Sequence, residues 1–323
     1  MRLRLLLPLF CLTALAGCKN GSPPPPRGEP AATTPVTSAA KPRASVAASA
    51  SASAPEAPAP NVSGKVPFDY PMVTTTARPG DYVLAPPRAW LDEALENGAD
   101  QQPFIYYGAW LQAAGKAGSV VRTKPGPEEE VPNSLLIPIR KGESAHSGDI
   151  VLTTWASGTG LQRAIVVEGS EATSPRVRYL DLALDHPTGW GEKIDTLPAN
   201  TFHRLNEPGE IGTTLACKEG SRYVHRIVTH RSGDQVLGLG FAGQLKVFPV
   251  GDCREVPLIP KAKPADRVFV PVLGTFTEAQ VVKVDADAGR ILVRYRVGDE
   301  KHETAVGYTN VAVDLPLPPK PDK

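Results

Sequence analysis

The sequence lacks an excess of charge of either sign. Its 35 Lys and Arg face 34 Asp and Glu, a formal net charge of +1. That balance gives no support to a nucleic-acid or anionic-membrane partner. Cysteine is scarce, with four in 323 residues, at positions 11, 18, 217 and 253. No histidine stands at ligand spacing from any of them, which argues against a zinc site. The histidines (His146, His186, His203, His225, His230 and His302) are scattered and suggest no metal. His225 and His230 differ by five, so a regular strand puts them on opposite sides. No nucleophile-elbow pattern occurs. Gly238 and Gly240 in "GLGFAG" sit between two strand-like runs and not between strand and helix, so a nucleotide loop fails. The run Glu128–Glu130 lies beside Pro and Gly and reads as a solvated loop rather than a calcium site. No catalytic residue, metal or cofactor emerges. Long stretches of helical period are also missing, and no apolar run outside the N-terminus is long enough to span a membrane.

What is present begins at the N-terminus. Arg2 and Arg4 precede a short apolar run, Leu5 to Ala16, which fits a secretory signal. It ends in Leu15-Ala16-Gly17-Cys18. Small residues before a cysteine resemble the lipobox of bacterial lipoproteins. The resemblance implies cleavage after residue 17 and diacylglyceryl transfer to the Cys18 thiol. An acylated Cys18 would hold the chain on a lipid bilayer in the bacterial cell envelope. Lys19 is not aspartate, so no enteric-type inner-membrane retention signal follows, which points to the outer membrane over the inner. An exported chain meets an oxidising compartment, where Cys217 and Cys253 are an even pair and a disulfide is expected. Two buried free thiols are the alternative.

The stretch after Cys18 is of another kind. Residues 19–65 hold 10 Pro, 12 Ala and 7 Ser and no aromatic residue. Such a segment buries too little apolar surface to offset the entropy of ordering it, so 18–65 reads as a disordered linker. The tail 315–323, rich in Pro, is expected to be loose as well.

From 66 to 314 the chain is a series of short Val/Ile/Leu runs punctuated by Gly, Pro and Asp. Val177-Arg178-Tyr179 returns as Val293-Arg294-Tyr295, 116 residues later. Half that distance, 58, leads to strand-like runs at Ser119 and Gln235. A turn-type pair followed by a hydrophobic run also recurs four times, as "GDYVLA" at Gly80, "GDIVLT" at Gly148, "GTTLAC" at Gly212 and "ADRVFV" at Ala265. The expectation is an all-β chain of four small bent barrels, with boundaries at 66–144, 145–208, 209–261 and 262–314. The first carries a helical insertion over 88–98, with Trp90, Leu91, Ala94 and Leu95 on one face and Gly98 as stop. Ile291, Val293, Tyr295 and Val297 alternate with Arg294 and Arg296, as on a half-buried strand.

The ordered set of an opening "GD-x-V-x-A", then "A-x-V", then "V-x-Y-x-D" resembles the Tudor-like and bacterial Src-homology-3-like small barrels. It covers the second and fourth units best and the third loosely. Tudor domains of the reading kind hold methylated side chains in an aromatic cage. The resemblance places Trp155 and Tyr179 at cage positions and Asp181 at the acidic position that follows. Ordinary barrel core or rim is the alternative for Trp155 and Tyr179. Leu161 and Val272 stand where further cage aromatics would be. Arg222, Arg226 and Arg231 on one strand could meet an anionic polymer, or form a solvated face. The expected function is a membrane-anchored, non-enzymatic binding or scaffold protein of the envelope, whose partner is an unidentified protein or glycan. A peptidoglycan-binding protein is the first alternative, and an envelope enzyme of unrecognised class the second.

Overall fold

The computed structural model describes residues 59–99, 102–123, 126–155, 160–169, 171–183 and 192–316. The signal segment, Cys18, residues 18–58 of the linker and the tail beyond residue 316 lie outside the described residues, as does His186.

The described chain is mostly β, and one strand order recurs four times. β1 (Tyr82–Ala85), β2 (Tyr107–Ala113), β3 (Gly118–Thr123) and β4 (Glu128–Pro132) form an antiparallel meander, and β5 (Ile137–Pro138) returns beside β1. β6 (Ile150–Thr154), β7 (Leu161–Glu168), β8 (Arg176–Tyr179) and β9 (Ile194–Thr196) repeat this, with β10 (His203–Leu205) beside β6. β11 (Thr214–Glu219), β12 (Arg222–Ser232), β13 (Gln235–Leu239) and β14 (Leu245–Pro249) do so again, with β15 (Cys253–Glu255) beside β11. The last set is β16 (Arg267–Val272), β17 (Thr275–Asp285), β18 (Arg290–Val297) and β19 (Glu300–Gly307), and Ala312 bridges back to Phe269 of β16. The third strands begin at residues 118, 176, 235 and 290, at successive spacings of 58, 59 and 55. The first two sets are separate open sheets. The last two share one sheet through Val224 of β12 and Thr275 of β17.

The recurrent "GD" is explained by backbone geometry. Gly80, Gly148, Gly212 and Ala265 all have positive φ, at 83°, 91°, 95° and 74°. Glycine adopts this region without steric cost, whereas Ala265 bears it. The aspartate that follows caps the turn: Asp81, Asp149 and Asp266 each accept the backbone N–H three residues earlier, at 2.7, 2.9 and 2.9 Å. The turn also locks onto the second strand. Leu111, Val166, Val228 and Val281 each bond both of its sides through their backbone N–H and C=O. Each of those residues is also where its strand carries a β-bulge. A bulge bends a strand sharply, as a small curved sheet needs.

Helix α1 (Arg88–Asn97) lies between β1 and β2, with Leu91 and Ala94 buried and the Gly98 N–H bonded to the Ala94 carbonyl. Two local expectations differ from the structure. Glu128–Glu130 lies in strand β4, in an antiparallel ladder with β3 that pairs Arg122 with Glu128 and Val120 with Glu130. His225 and His230 share one side of β12, because the bulge between Val228 and His230 inserts a residue and reverses the alternation. The order also starts before residue 66: Val62 is buried, against Gly118 of β3.

The second and third sets have small cores of their own, Val151, Ala164, Val177, Tyr179 and Phe202 in the second and Leu215, Val228, Val236 and Phe248 in the third. A shared cluster joins the sets, with Leu84 and Tyr106 meeting Leu152, Ile165 and Leu180, and Val268, Val281, Ile291 and Val293. About 55 residues bury too little to be more than marginal alone, so this common core carries much of the stability. Cys217 and Cys253 are disulfide-bonded across the paired strands β11 and β15.

Candidate binding cleft

The positions matching an aromatic cage are not equally open. Tyr179, on the last residue of β8, is fully buried. Trp155, just past β6, is 8% exposed and joins the same core cluster. Asp181 is engaged elsewhere. Its carboxylate accepts Nε, Nη2 and the backbone N–H of Arg163 at 2.9, 2.5 and 2.8 Å, and Nδ2 of Asn310 at 3.0 Å. The Arg163 side chain has no exposure. Its Nη1 donates to Thr214 Oγ1, and its Nη2 also donates to Asn310 Oδ1 at 2.7 Å. His225 Nε2 meets the same Asn310 oxygen at 2.8 Å. A polar knot thus ties β7, the end of β8, β11, β12 and the 3₁₀ turn Tyr308–Asn310 together. Burial alone would raise the Asp181 pKa, but the Arg163 charge and bonds outweigh it and hold the carboxyl below its usual range. His225 is pushed down to about 4, by burial first and the Arg163 charge second.

An aromatic cleft lies beside Trp155, where the first and second sheets meet. Its cavity of about 440 Å³ is lined by Tyr82, Tyr106, Tyr107, Trp110, Trp155 and Glu129, among others. Strand alternation puts Tyr82 of β1 and Trp110 of β2 directly across the ladder from each other. Their rings pack edge to face, with centroids 5.2 Å apart. Tyr82 can lie there because Gly108, diagonal to it, has no side chain: a Cβ would fall 1.7 Å from the Tyr82 hydroxyl. That hydroxyl bonds Thr154 Oγ1 of β6 at 3.1 Å, which couples the two sheets. Burial raises the Tyr82 pKa against the opposing effect of that bond, so the phenol stays neutral. Trp90 of α1 packs on Tyr107, with centroids 6.1 Å apart, and closes one flank. Glu129 accepts the Arg88 N–H at 2.9 Å. Among the described residues that line the cavity, it is the one charged side chain, and no lysine or arginine joins it. Clustered aromatic rings beside hydroxyls and a single carboxylate can hold a neutral or cationic ligand with apolar faces and would repel an anion.

A second, wider cavity of about 680 Å³ is polar and lined by charges of both signs, including Asp81, Lys141, His203, Glu210 and Arg231. Lys141 pairs with Asp81 at 2.6 Å, and His203 with Glu143 at 2.8 Å. These groups satisfy one another. No group of three potential metal ligands converges among the described residues. Of the three strand arginines, Arg226 is buried, with its guanidinium 5.2 Å from the Phe248 ring centroid, and Arg231 donates to the Gly209 carbonyl at 2.7 Å.

Sequence reasoning singled out Trp155 and missed its cleft neighbours Tyr82, Tyr107 and Trp110. The dense run "FIYYGAW", Phe104 to Trp110, was the available signal. It falls after the helical insertion, where the match to the repeat lapses. Among family models and curated proteins, nothing matches this chain.

Proposed function

We propose that the chain is a lipid-anchored, non-enzymatic binding protein of the bacterial cell envelope, built on tandem Tudor-like barrels and using the Tyr82–Trp110–Trp155 cleft as its ligand site. The cleft carries this reading: aromatic rings from two neighbouring sheets converge on one cavity and are held in place by Gly108 and the Tyr82–Thr154 bond. The barrel reading is supported by the fourfold strand order, in which a fifth segment returns beside the first strand. The address rests on the lipobox-like Leu15–Cys18 and on the linker composition.

A glycan of the cell wall is the favoured ligand class. The rings offer flat apolar faces for sugar C–H groups, while the Tyr82, Thr123 and Thr154 hydroxyls can bond to ring hydroxyls. Co-sedimentation of the full chain with isolated peptidoglycan sacculi tests this. The wild type is expected to be retained, and Trp110→Ala to lose most of that retention while keeping its cooperative unfolding. Absence of wild-type retention sinks the glycan reading. Turnover of the sacculi by the purified chain sinks the non-enzymatic one. Mass spectrometry of the mature N-terminus tests the address: a diacylglyceryl group on Cys18 is expected, and an unmodified Met1 contradicts it.

A further inference from the structure

We propose that an end of the third and fourth repeats is a docking surface for an anionic lipid bilayer, with Leu273 and Phe241 as the inserting side chains. Three hairpin turns gather there around a shallow cavity of about 210 Å³, whose lining includes Glu219, Arg222, Phe241 and Leu273.

Leu273 has no reason within the chain to be where it is. Val272 pairs with Thr275, so Leu273 and Gly274 form a two-residue hairpin turn, with φ of 47° and 80°. Such a turn favours Asn-Gly or Asp-Gly, and a leucine at positive φ is strained. It is not repaid by burial either: Leu273 is 79% exposed, more than any other large hydrophobic among the described residues. Strain retained at an exposed position points to a role outside the chain's own packing. Phe241 is 54% exposed in the turn between β13 and β14, next to Ala242 at φ 55°. The two tips touch, since a Cβ on Gly274 would lie 2.5 Å from the Phe241 Cβ.

The surroundings are cationic. Arg222 is exposed, and the Lys246 side chain is 47% exposed. The guanidinium of Arg226 lies under Gly240. Glu219 is the one carboxylate of the lining, bonded to Lys246 and 3.9 Å from Arg226. The exposed cations are Arg222 and Lys246, with the buried Arg226 behind them, against the single carboxylate of Glu219, and that excess favours a negatively charged partner. Apolar tips carried on separate convex turns suit a fluid interface, which needs no complementary shape. There, anionic headgroups meet the cations while Leu273 and Phe241 enter the acyl boundary. The surface does not depend on acylation of Cys18. Where Cys18 is acylated, it acts at high effective concentration, on a bilayer the chain already occupies.

The test uses the mature chain from residue 18 onward carrying Cys18→Ser, so that neither the apolar signal segment nor an acyl chain contributes. It is co-sedimented with vesicles of phosphatidylcholine alone, or of phosphatidylcholine and phosphatidylglycerol in equal parts. Sedimentation with the anionic vesicles is expected, weakened by salt and by Arg222→Glu. Leu273→Asn is expected to lower the partition about tenfold, the loss of one inserted leucine. The same substitution should leave Tm unchanged or raise it, because asparagine suits the turn. Phe241→Ser should weaken the partition likewise. Three results would overturn the proposal: no sedimentation with anionic vesicles, equal sedimentation with both kinds, or a partition unaffected by Leu273→Asn and Phe241→Ser together. Capture of an acidic protein without vesicle binding would also overturn it.

Discussion

Replacing Asp181 with alanine should cost about 3–5 kcal/mol of folding free energy, the range for a buried charge that loses its partner. The structure argues for the upper part of that range. Arg163 has a fully buried side chain and donates three bonds to this one carboxylate. After the substitution only the Thr214 hydroxyl and the Asn310 amide oxygen remain to meet the guanidinium. The Asn310 amide also loses its acceptor. With an m-value of about 2–3 kcal/mol per molar urea, the midpoint should fall by roughly 1–2 M. Tryptophan fluorescence in urea reads this directly. Asp181→Asn, which keeps an acceptor, should lose less. The paired change Arg163→Met with Asp181→Leu should recover most of the loss, because two apolar groups strand no charge. A loss below about 1 kcal/mol for Asp181→Ala would refute the claim that this carboxylate is a structural counterion. If the same variant lost sacculus binding without destabilisation, Asp181 would belong to a ligand site after all.

Two further outcomes follow from the same geometry. Cys217→Ser with Cys253→Ser removes a bridge spanning 36 residues, which in the chain-entropy model is worth about 4 kcal/mol; urea unfolding measures it, and an unchanged midpoint contradicts it. His225 supplies a pH dependence. Its folded pKa of about 4 lies below its ordinary value near 6.5, so the unfolded chain binds the proton more tightly. Its contribution is complete above about pH 6.5 and falls between there and pH 4, at up to roughly 1.4 kcal/mol per pH unit. Asp181, also lowered, adds a loss only in the acid range below that. Midpoints at pH 7.5, 6 and 5 should therefore decline, and His225→Gln should flatten the decline; equal slopes in both proteins contradict it.

The sequence showed what is local and repeated. "GD" was readable because a positive φ and an aspartate cap are needed at one point of every turn, and the Val-Arg-Tyr echo because Val177 and Val293 fill the same inward place on a third strand. The cysteine pair was readable because no other partners were left. What escaped depends on contacts between repeats. Arg163 looks like any strand arginine until Asp181, Thr214 and Asn310 close around it. The parity of His225 and His230 was hidden by a bulge that periodicity does not encode. The cleft was invisible because Trp110 and Trp155 stand on different sheets, and each alone resembles core. Asp181 had the right residue type for an acidic cage position, but burial turned it to a neighbour's charge.

The most direct test of a ligand site at the aromatic cleft is a nuclear magnetic resonance titration of the full chain carrying Cys18→Ser with soluble peptidoglycan fragments. The indole N–H signals of Trp110 and Trp155 and the amide of Gly108 should shift together and saturably, and Gly108→Ala should abolish the effect by displacing the Tyr82 ring. Shifts confined to other residues, or none at saturating fragment, would contradict a binding site at Tyr82, Trp110 and Trp155.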